Sequence, residues 1–267
     1  MNELVLILLA LILLIAVIMA IIKYVFFPRK HGEKGSRRET MDYIARKFDD
    51  LMGLRAIIII SKESGILLYS YIIESGDRVI LKNPEFISGV LHALRSLGTE
   101  MGFSGHEFNR IQYGDYSILS NTSHHAQAVI ISRTAPSSIL EDNLLILGKA
   151  IDKKFFGTFI ERKNYYETNE FSETISLIRE IFDTFFIEGL NLLYDPEQCG
   201  KLERLSRIIL DEARKQYNHD DAVVLKKLFI NMYGNNVDGI QEKYKRKEII
   251  LQMYKLFKDN YFSYFTE

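Results

Sequence analysis

Residues 54–73 read Leu-Arg-Ala-Ile-Ile-Ile-Ile-Ser-Lys-Glu-Ser-Gly-Ile-Leu-Leu-Tyr-Ser-Tyr-Ile-Ile, two apolar runs, Leu54 to Ile60 and Ile66 to Ile73, on either side of the turn Ser61-Lys62-Glu63-Ser64-Gly65. β-Branched residues flanking a glycine-bearing turn predict a hairpin. Four successive isoleucines leave the first strand no polar face, so it is expected to be central and covered on both sides.

Downstream, Asn83-Pro84-Glu85 predicts a helix start. Asn caps free N–H groups, Pro loses nothing at the first helical position, and Glu meets the positive dipole end. Ile87, Val90, Leu91, Leu94, Leu97 and Met101 line one face of this helix, and Gly102 is expected to end it. Three strands follow, His106 to Tyr113, Asp115 to Ser120 and Ala126 to Ser132, with turns too short for parallel crossovers. After Pro136, Ile139, Leu140, Leu144, Leu147, Ile151 and Phe155 predict a long helix. Upstream, Met41, Ile44, Ala45, Phe48 and Leu51 recur at helical spacing up to Gly53. The fold class is α+β, one five-stranded antiparallel sheet with flanking helices.

This order, with Ala56 to Ile60 and Gly65 to Ser70 as the opening hairpin and Phe86-Ile87-Ser88-Gly89-Val90-Leu91-His92-Ala93-Leu94 as the helix after it, resembles the longin and roadblock families, in particular archaeal members. The leading helix is similar to roadblock proteins, whereas two trailing helices would look more like longin, and the sequence offers both. The resemblance implies a noncatalytic platform that pairs with itself or with another such domain and regulates small GTPases through helix faces and strand edges.

Beyond Glu161 the sequence predicts helices alone. Phe171, Ile175, Ile178, Phe182 and Phe185 form one stripe, Leu202, Leu205, Ile209 and Ala213 a second, and Val224, Leu228 and Met232 a third. A fourth is expected from about Val237 to Tyr261, and Asp195-Pro196-Glu197 and His219-Asp220-Asp221 read as helix starts. The terminal Tyr261, Phe262, Tyr264 and Phe265 are expected to close this core rather than touch a bilayer.

At the other end, Leu4 to Ile22 are nineteen apolar residues without charge, Gly or Pro. As a helix they span about 28 Å, close to the hydrocarbon core of a bilayer. The run is longer than a signal-peptide h-region and no A-x-A site follows it, so an uncleaved anchor is expected. Lys23, Arg29, Lys30, Lys34, Arg37 and Arg38 crowd its downstream flank, which places the C-terminal bulk in the cytoplasm and the N-terminus outside. The expected organisation is a transmembrane helix over 4–24, a basic juxtamembrane linker over 25–40, a longin/roadblock-like domain over 41–160 and a helical C-terminal region over 161–267.

The net charge of −1 gives no bias toward nucleic acid, and a single cysteine, Cys199, permits no intramolecular disulfide. Neither G-x-x-x-x-G-K-[ST] nor G-x-G-x-x-G occurs, and no G-x-S-x-G elbow. His124 and His125 are adjacent in a turn without nearby carboxylates in sequence, and His219-Asp220-Asp221 lacks the further histidines of a phosphohydrolase. No catalytic, cofactor or metal site is expected. Gly89, Ala93 and Ser96 place small side chains along one side of their helix, a candidate face for a partner helix, with a shallow seat against the chain's own sheet as the plainer and preferred reading.

The functional expectation is a membrane-anchored cytoplasmic adaptor or scaffold that recruits or regulates a small Ras/Arf-like GTPase. Its partners would be the lipid bilayer, the GTPase or another longin/roadblock domain, and a second copy in a homodimer. The alternative is a membrane-tethered sensor that holds a small ligand between sheet and helix and signals through its C-terminal helices.

Overall fold

The computed structural model describes residues 33–73, 83–100, 110–162, 166–193 and 202–265. The chain divides into two compact units, Met1–Met41 and Asp42–Glu267. The apolar run Leu4 to Ile22, with Lys23, Arg29 and Lys30, lies outside the described residues, as do Cys199 and Asp195-Pro196-Glu197. No described helix is long and apolar enough to cross a membrane.

Helix α1 (Glu33–Gly53) leads into β1 (Leu54–Ser61) and β2 (Leu67–Ile72), followed by α2 (Pro84–Glu100), β3 (Arg110–Tyr113), β4 (Tyr116–Thr122), β5 (Ala126–Ser132) and α3 (Ser138–Lys154). The sheet runs β2-β1-β5-β4-β3, antiparallel throughout. β1 and β5 are central and every residue in them is buried, which is why their sequences show no alternation. The succession is a leading helix, a hairpin, a helix and a three-stranded meander.

Helix α1 begins earlier than its apolar spacing indicates. Residues 33–40, expected to be linker, are helical, and Lys34, Arg37 and Arg38 stand in its first turns. Glu, Lys and Arg are strong helix formers, and one glycine among them costs too little to stop propagation.

One sheet face packs on α2. Ala56, Ile58 and Ile60 from β1, Val129 and Ile131 from β5 and Leu91 from α2 form a buried cluster, edged by Leu67, Ile87, Ile111, Tyr116 and Ile118. Alternation sends Ile57, Ile59, Ala128 and Ile130 to the other face, and all four are fully buried. There α3 packs on β4 and β5 through an inward side that includes Leu140, Leu144, Leu147 and Ile151.

The hairpin turn docks on α2 at Gly65. Its φ is +69°, and a Cβ there would stand 2.4 Å from Cγ of His92, while Ser88 donates its hydroxyl to the Gly65 carbonyl. Gly65→Ala is expected to cost about 1–2 kcal/mol from backbone conformation alone. The overlap with His92 adds to this. A urea titration would show the lowered midpoint, and His92→Ala in the same chain should restore only the steric part.

The end of α1 is held by cations. Arg55 Nη1 donates to the carbonyls of Met52, Gly53 and Leu54 at 3.2, 3.2 and 2.9 Å, and Lys226 Nζ donates to Met52 O at 3.2 Å. Positive charge at a helix C-terminus is favourable. Burial, and then the neighbouring Arg55, lowers the affinity of Lys226 for its proton.

Asp50 holds the start of α3. Its carboxylate accepts from the hydroxyl and, at 3.2 Å, the N–H of Ser137, the N-cap residue. Burial outweighs these bonds and raises Asp50 above the ordinary carboxylate value of 3.8. The folded chain therefore binds this proton more tightly than the unfolded chain. Its contribution is fully present below 3.8 and is lost as pH rises through the folded value. Asp50→Asn is expected to flatten that decline, read by urea midpoints measured at stepped pH from 3.5 upward. An unchanged slope would mean that Asp50 does not set it.

The chain beyond residue 161 is not helical throughout. After α4 (Phe156–Arg162), a 3-10 turn (Thr168–Phe171), α5 (Thr174–Phe182) and a second 3-10 turn (Thr184–Phe186), β6 (Leu190–Leu192) pairs with β7 (Phe262–Tyr264). Strands of three residues are too short to display a period, and these partners lie about seventy positions apart. Between them stand α6 (Arg204–Asp220), α7 (Leu225–Gly234), α8 (Ile240–Lys243) and α9 (Arg246–Lys258). The expected single helix over 237–261 is thus broken, with Gly239 at φ +67° and Tyr244 extended. His219-Asp220-Asp221 ends α6 rather than starting a helix, and Asp221 takes φ +53°, a conformation that a short polar side chain tolerates.

Two aromatic clusters seat this region on the preceding fold. Phe48 of α1 meets Phe186 and Phe229 edge-on, each at 5.1 Å. Phe155 and Phe159 meet Phe171 at 4.8 and 5.5 Å. Phe262 is buried as expected for core closure, whereas Phe265 is 43% exposed.

Candidate functional site

The polar groups of the fold are mostly engaged with one another. Asp152 accepts from the backbone N–H groups of His124 and His125 at 2.7 and 2.9 Å, and the His125 ring stacks on Phe159 at 5.2 Å. The carboxylate that the sequence does not place near these histidines comes from α3, and it holds the β4–β5 turn by its backbone. Among the described residues no three His, Cys, Asp or Glu side chains are grouped to hold a metal ion.

The two edges of the sheet differ. On the β2 side, the turn Thr168–Phe171 lies against the strand. The Tyr71 hydroxyl donates to Glu188 at 2.9 Å, and Glu188 also accepts from Arg179 Nε at 2.9 Å and from Thr184. Burial, reinforced by the Glu188 charge, raises the Tyr71 phenol far above its ordinary range, so it remains a donor. Burial likewise pushes Tyr264, beneath the Arg179 guanidinium, up to about 12. This edge is closed by the chain itself.

On the β3 side no described strand pairs beyond β3, and Arg110, Gln112 and Tyr113 are exposed, Tyr113 to 71%. Arg110 reaches Glu141 of α3, and Gln112 donates to Gly114 O at 3.0 Å. Tyr113 shares with Ile111 the sheet face that α2 covers. An unpaired edge presents a row of backbone donors and acceptors to another chain.

The helix that covers that face carries the small-residue stripe on its outside. Gly89, Ala93 and Ser96 are exposed, with Val90 beside them at 42%, and a Cβ on Gly89 would meet nothing within 4 Å. The preferred reading, a seat against the chain's own sheet, is therefore incorrect. Ile87, Ser88 and Leu91 face inward instead, because the apolar stripe fixes the rotation of the helix. Ser96 donates to the His92 carbonyl at 3.1 Å, a bond within the helix that leaves the stripe flat.

Sequence reasoning identified the stripe but not Tyr113 or the open edge. The dipeptide Gly114-Asp115 marks the hairpin tip, yet which strand ends a sheet depends on pairings between distant segments.

Fold and surface together define a mixed α+β domain with a five-stranded antiparallel sheet, an outward helix face and, among the described residues, one sheet edge without a further strand. Among solved structures the chain is similar to the crystal structure of a Roadblock/LC7 domain from Streptomyces avermitilis, at 15% identity over 39% of this chain and 87% of that one, with a TM-score of 0.31. It is similar to Myxococcus xanthus MglB, at 14% identity over 44% of this chain and 96% of that one, TM-score 0.30, and to MglB with a tetrameric arrangement, at 14% identity over 42% and 82%, TM-score 0.26. No family model and no curated protein matches the chain.

Proposed function

We propose that this chain is a noncatalytic adaptor or scaffold, held in a membrane by one pass through Leu4 to Ile22, with its N-terminus outside and its bulk in the cytoplasm. There it recruits or regulates a small Ras/Arf-like GTPase, or pairs with a second roadblock-type domain. The observation that carries the reading is the pair of α2 face and β3 edge, both exposed among the described residues, on a fold whose other sheet edge is closed by its own C-terminal region. Anchoring would confine the search for a partner to the membrane plane and raise its effective concentration.

The sensor alternative needs room between sheet and α2. Ala56, Ile58, Ile60, Leu91, Val129 and Ile131 fill that space, which favours the adaptor.

The test uses the full chain in lipid nanodiscs. Self-association is read by light scattering, and binding is read against Ras-like and Arf-like GTPases loaded with GDP or a GTP analogue. Ala93→Arg is expected to weaken the association at least about tenfold, equivalent to roughly 1.4 kcal/mol. Its unfolding midpoint should stay unchanged because Ala93 is exposed. The reading fails if the chain neither self-associates nor binds such a GTPase in either nucleotide state.

A further inference from the structure

Helices α3 and α4 continue one another. The N–H of Phe155 donates to Ile151 O at 2.9 Å and that of Phe159 to Phe155 O at 3.0 Å, so helical bonding runs through the single residue between them. Their inward side is buried from Leu140 to Phe159 and apolar except for Asn143. On the outward side, Ile146, Lys149, Lys153, Phe156 and Ile160 follow one another at spacings of three and four, which sets them in one line.

The line is unusual in what it exposes. Phe156 is 56%, Ile160 52% and Ile146 51% exposed, and of the large apolar side chains described only Tyr113 is more exposed than Phe156. Leu145 flanks the line at 39%. Among the described residues neither Lys149 nor Lys153 forms an ion pair, whereas Lys154 and Arg162, on other sides of the helices, bind Glu173 and Glu170. Asp142 stands at one end and Glu161 on the flank, so the middle of the stripe is cationic.

We infer that this stripe is a second membrane contact, lying on the anionic cytoplasmic surface of the bilayer, an inference that rests on the anchored, cytoplasmic reading above. Apolar side chains on either side of a central pair of lysines on one convex helix match an interfacial helix: rings and branched chains enter the headgroup boundary while lysine stems reach out to the phosphates. A partner helix would need a groove, and a single convex file with two adjacent lysines at its centre does not make one. Two points of attachment would fix which side of the domain faces the bilayer, and so which surfaces remain open to partners.

The test places an environment-sensitive fluorophore at residue 160 of the full chain. Cys199 is the only native cysteine, so Cys199→Ser with Ile160→Cys gives one label, and the exposed site should leave circular dichroism unchanged. In vesicles containing phosphatidylserine the emission is expected to shift to the blue relative to phosphatidylcholine alone. Lys149→Ala with Lys153→Ala should lower the ratio of inserted to aqueous label about thirtyfold, roughly fivefold per lysine. An aqueous label on phosphatidylserine vesicles overturns the inference. So does an equal blue shift in phosphatidylcholine or detergent, the result if a second copy or another protein covers the stripe. Flotation with phosphatidylcholine vesicles after a high-salt wash reads the anchor separately. A chain that fails to float, yet shows the serine-lipid shift, removes the anchor and leaves the stripe.

Discussion

Phe48→Ala is expected to lower the free energy of unfolding by about 3–5 kcal/mol, the usual cost of removing a fully buried aromatic ring. Phe48 is completely buried, with Phe186 and Phe229 against its ring at 5.1 Å and the Arg246 guanidinium 5.7 Å from its centre. Phe186 and Phe229 belong to well-packed segments of their own. Phe186 contacts Phe185, which stacks on Phe257 at 4.0 Å, and Phe229 stacks on Tyr233. The cavity therefore has little freedom to collapse. Against a total stability of about 5–15 kcal/mol, such a loss leaves a marginal fold. Urea denaturation followed by circular dichroism measures it, and a loss below about 1 kcal/mol would show that the site relaxes. Removing residues 161–267 would uncover the same ring, so a chain ending at 160 is expected to aggregate.

The second large effect concerns the ion pair between α1 and the turn after α5. Lys47 Nζ lies 2.7 Å from Asp183 Oδ2 and donates to Ile181 O at 3.2 Å, with both side chains about nine-tenths buried. Lys258 stands 3.7 Å from the other carboxylate oxygen. Asp183→Ala would leave Lys47 buried without its counter-charge, a change that costs about 3–5 kcal/mol in comparable pairs. Alanine would also have to adopt φ +56°, which aspartate tolerates better. Lys47→Met with Asp183→Asn removes both charges and keeps a residue suited to that backbone. This double variant is expected to retain most of the stability, because two buried charges gain little over an uncharged pair of similar volume. Urea midpoints of the two variants distinguish the cases. Equal losses would mean that the pair stabilises the fold by itself rather than by mutual neutralisation.

Both contacts join α1 to the chain beyond residue 161, and together with the Tyr71–Glu188 clasp they explain why the β2 edge is closed. Among the described residues, a chain built this way leaves the β3 edge and the outward face of α2 exposed while its other flank is occupied.

Much of this was determined by the sequence. The isoleucine run at 57–60 required a strand covered on both faces, Asn83-Pro84 set the start of α2, and the spacing through Ile139 to Phe155 set α3. These are local matters of period, capping and turn chemistry, which a short window of residues contains. The stripe Gly89, Ala93 and Ser96 was visible too, but not its direction, because small residues suit either a buried seat or an open face. Only the tertiary structure decided that it points outward, that β3 is the last strand of the sheet among the described residues, and that Asp152 reaches the turn at His124 and His125. It also decided that Leu190–Leu192 and Phe262–Tyr264 pair as strands and that Phe48 lies under Phe186 and Phe229. Each of these depends on which distant segments meet, and that choice is made by the burial of several faces at once rather than by any one stretch of chain.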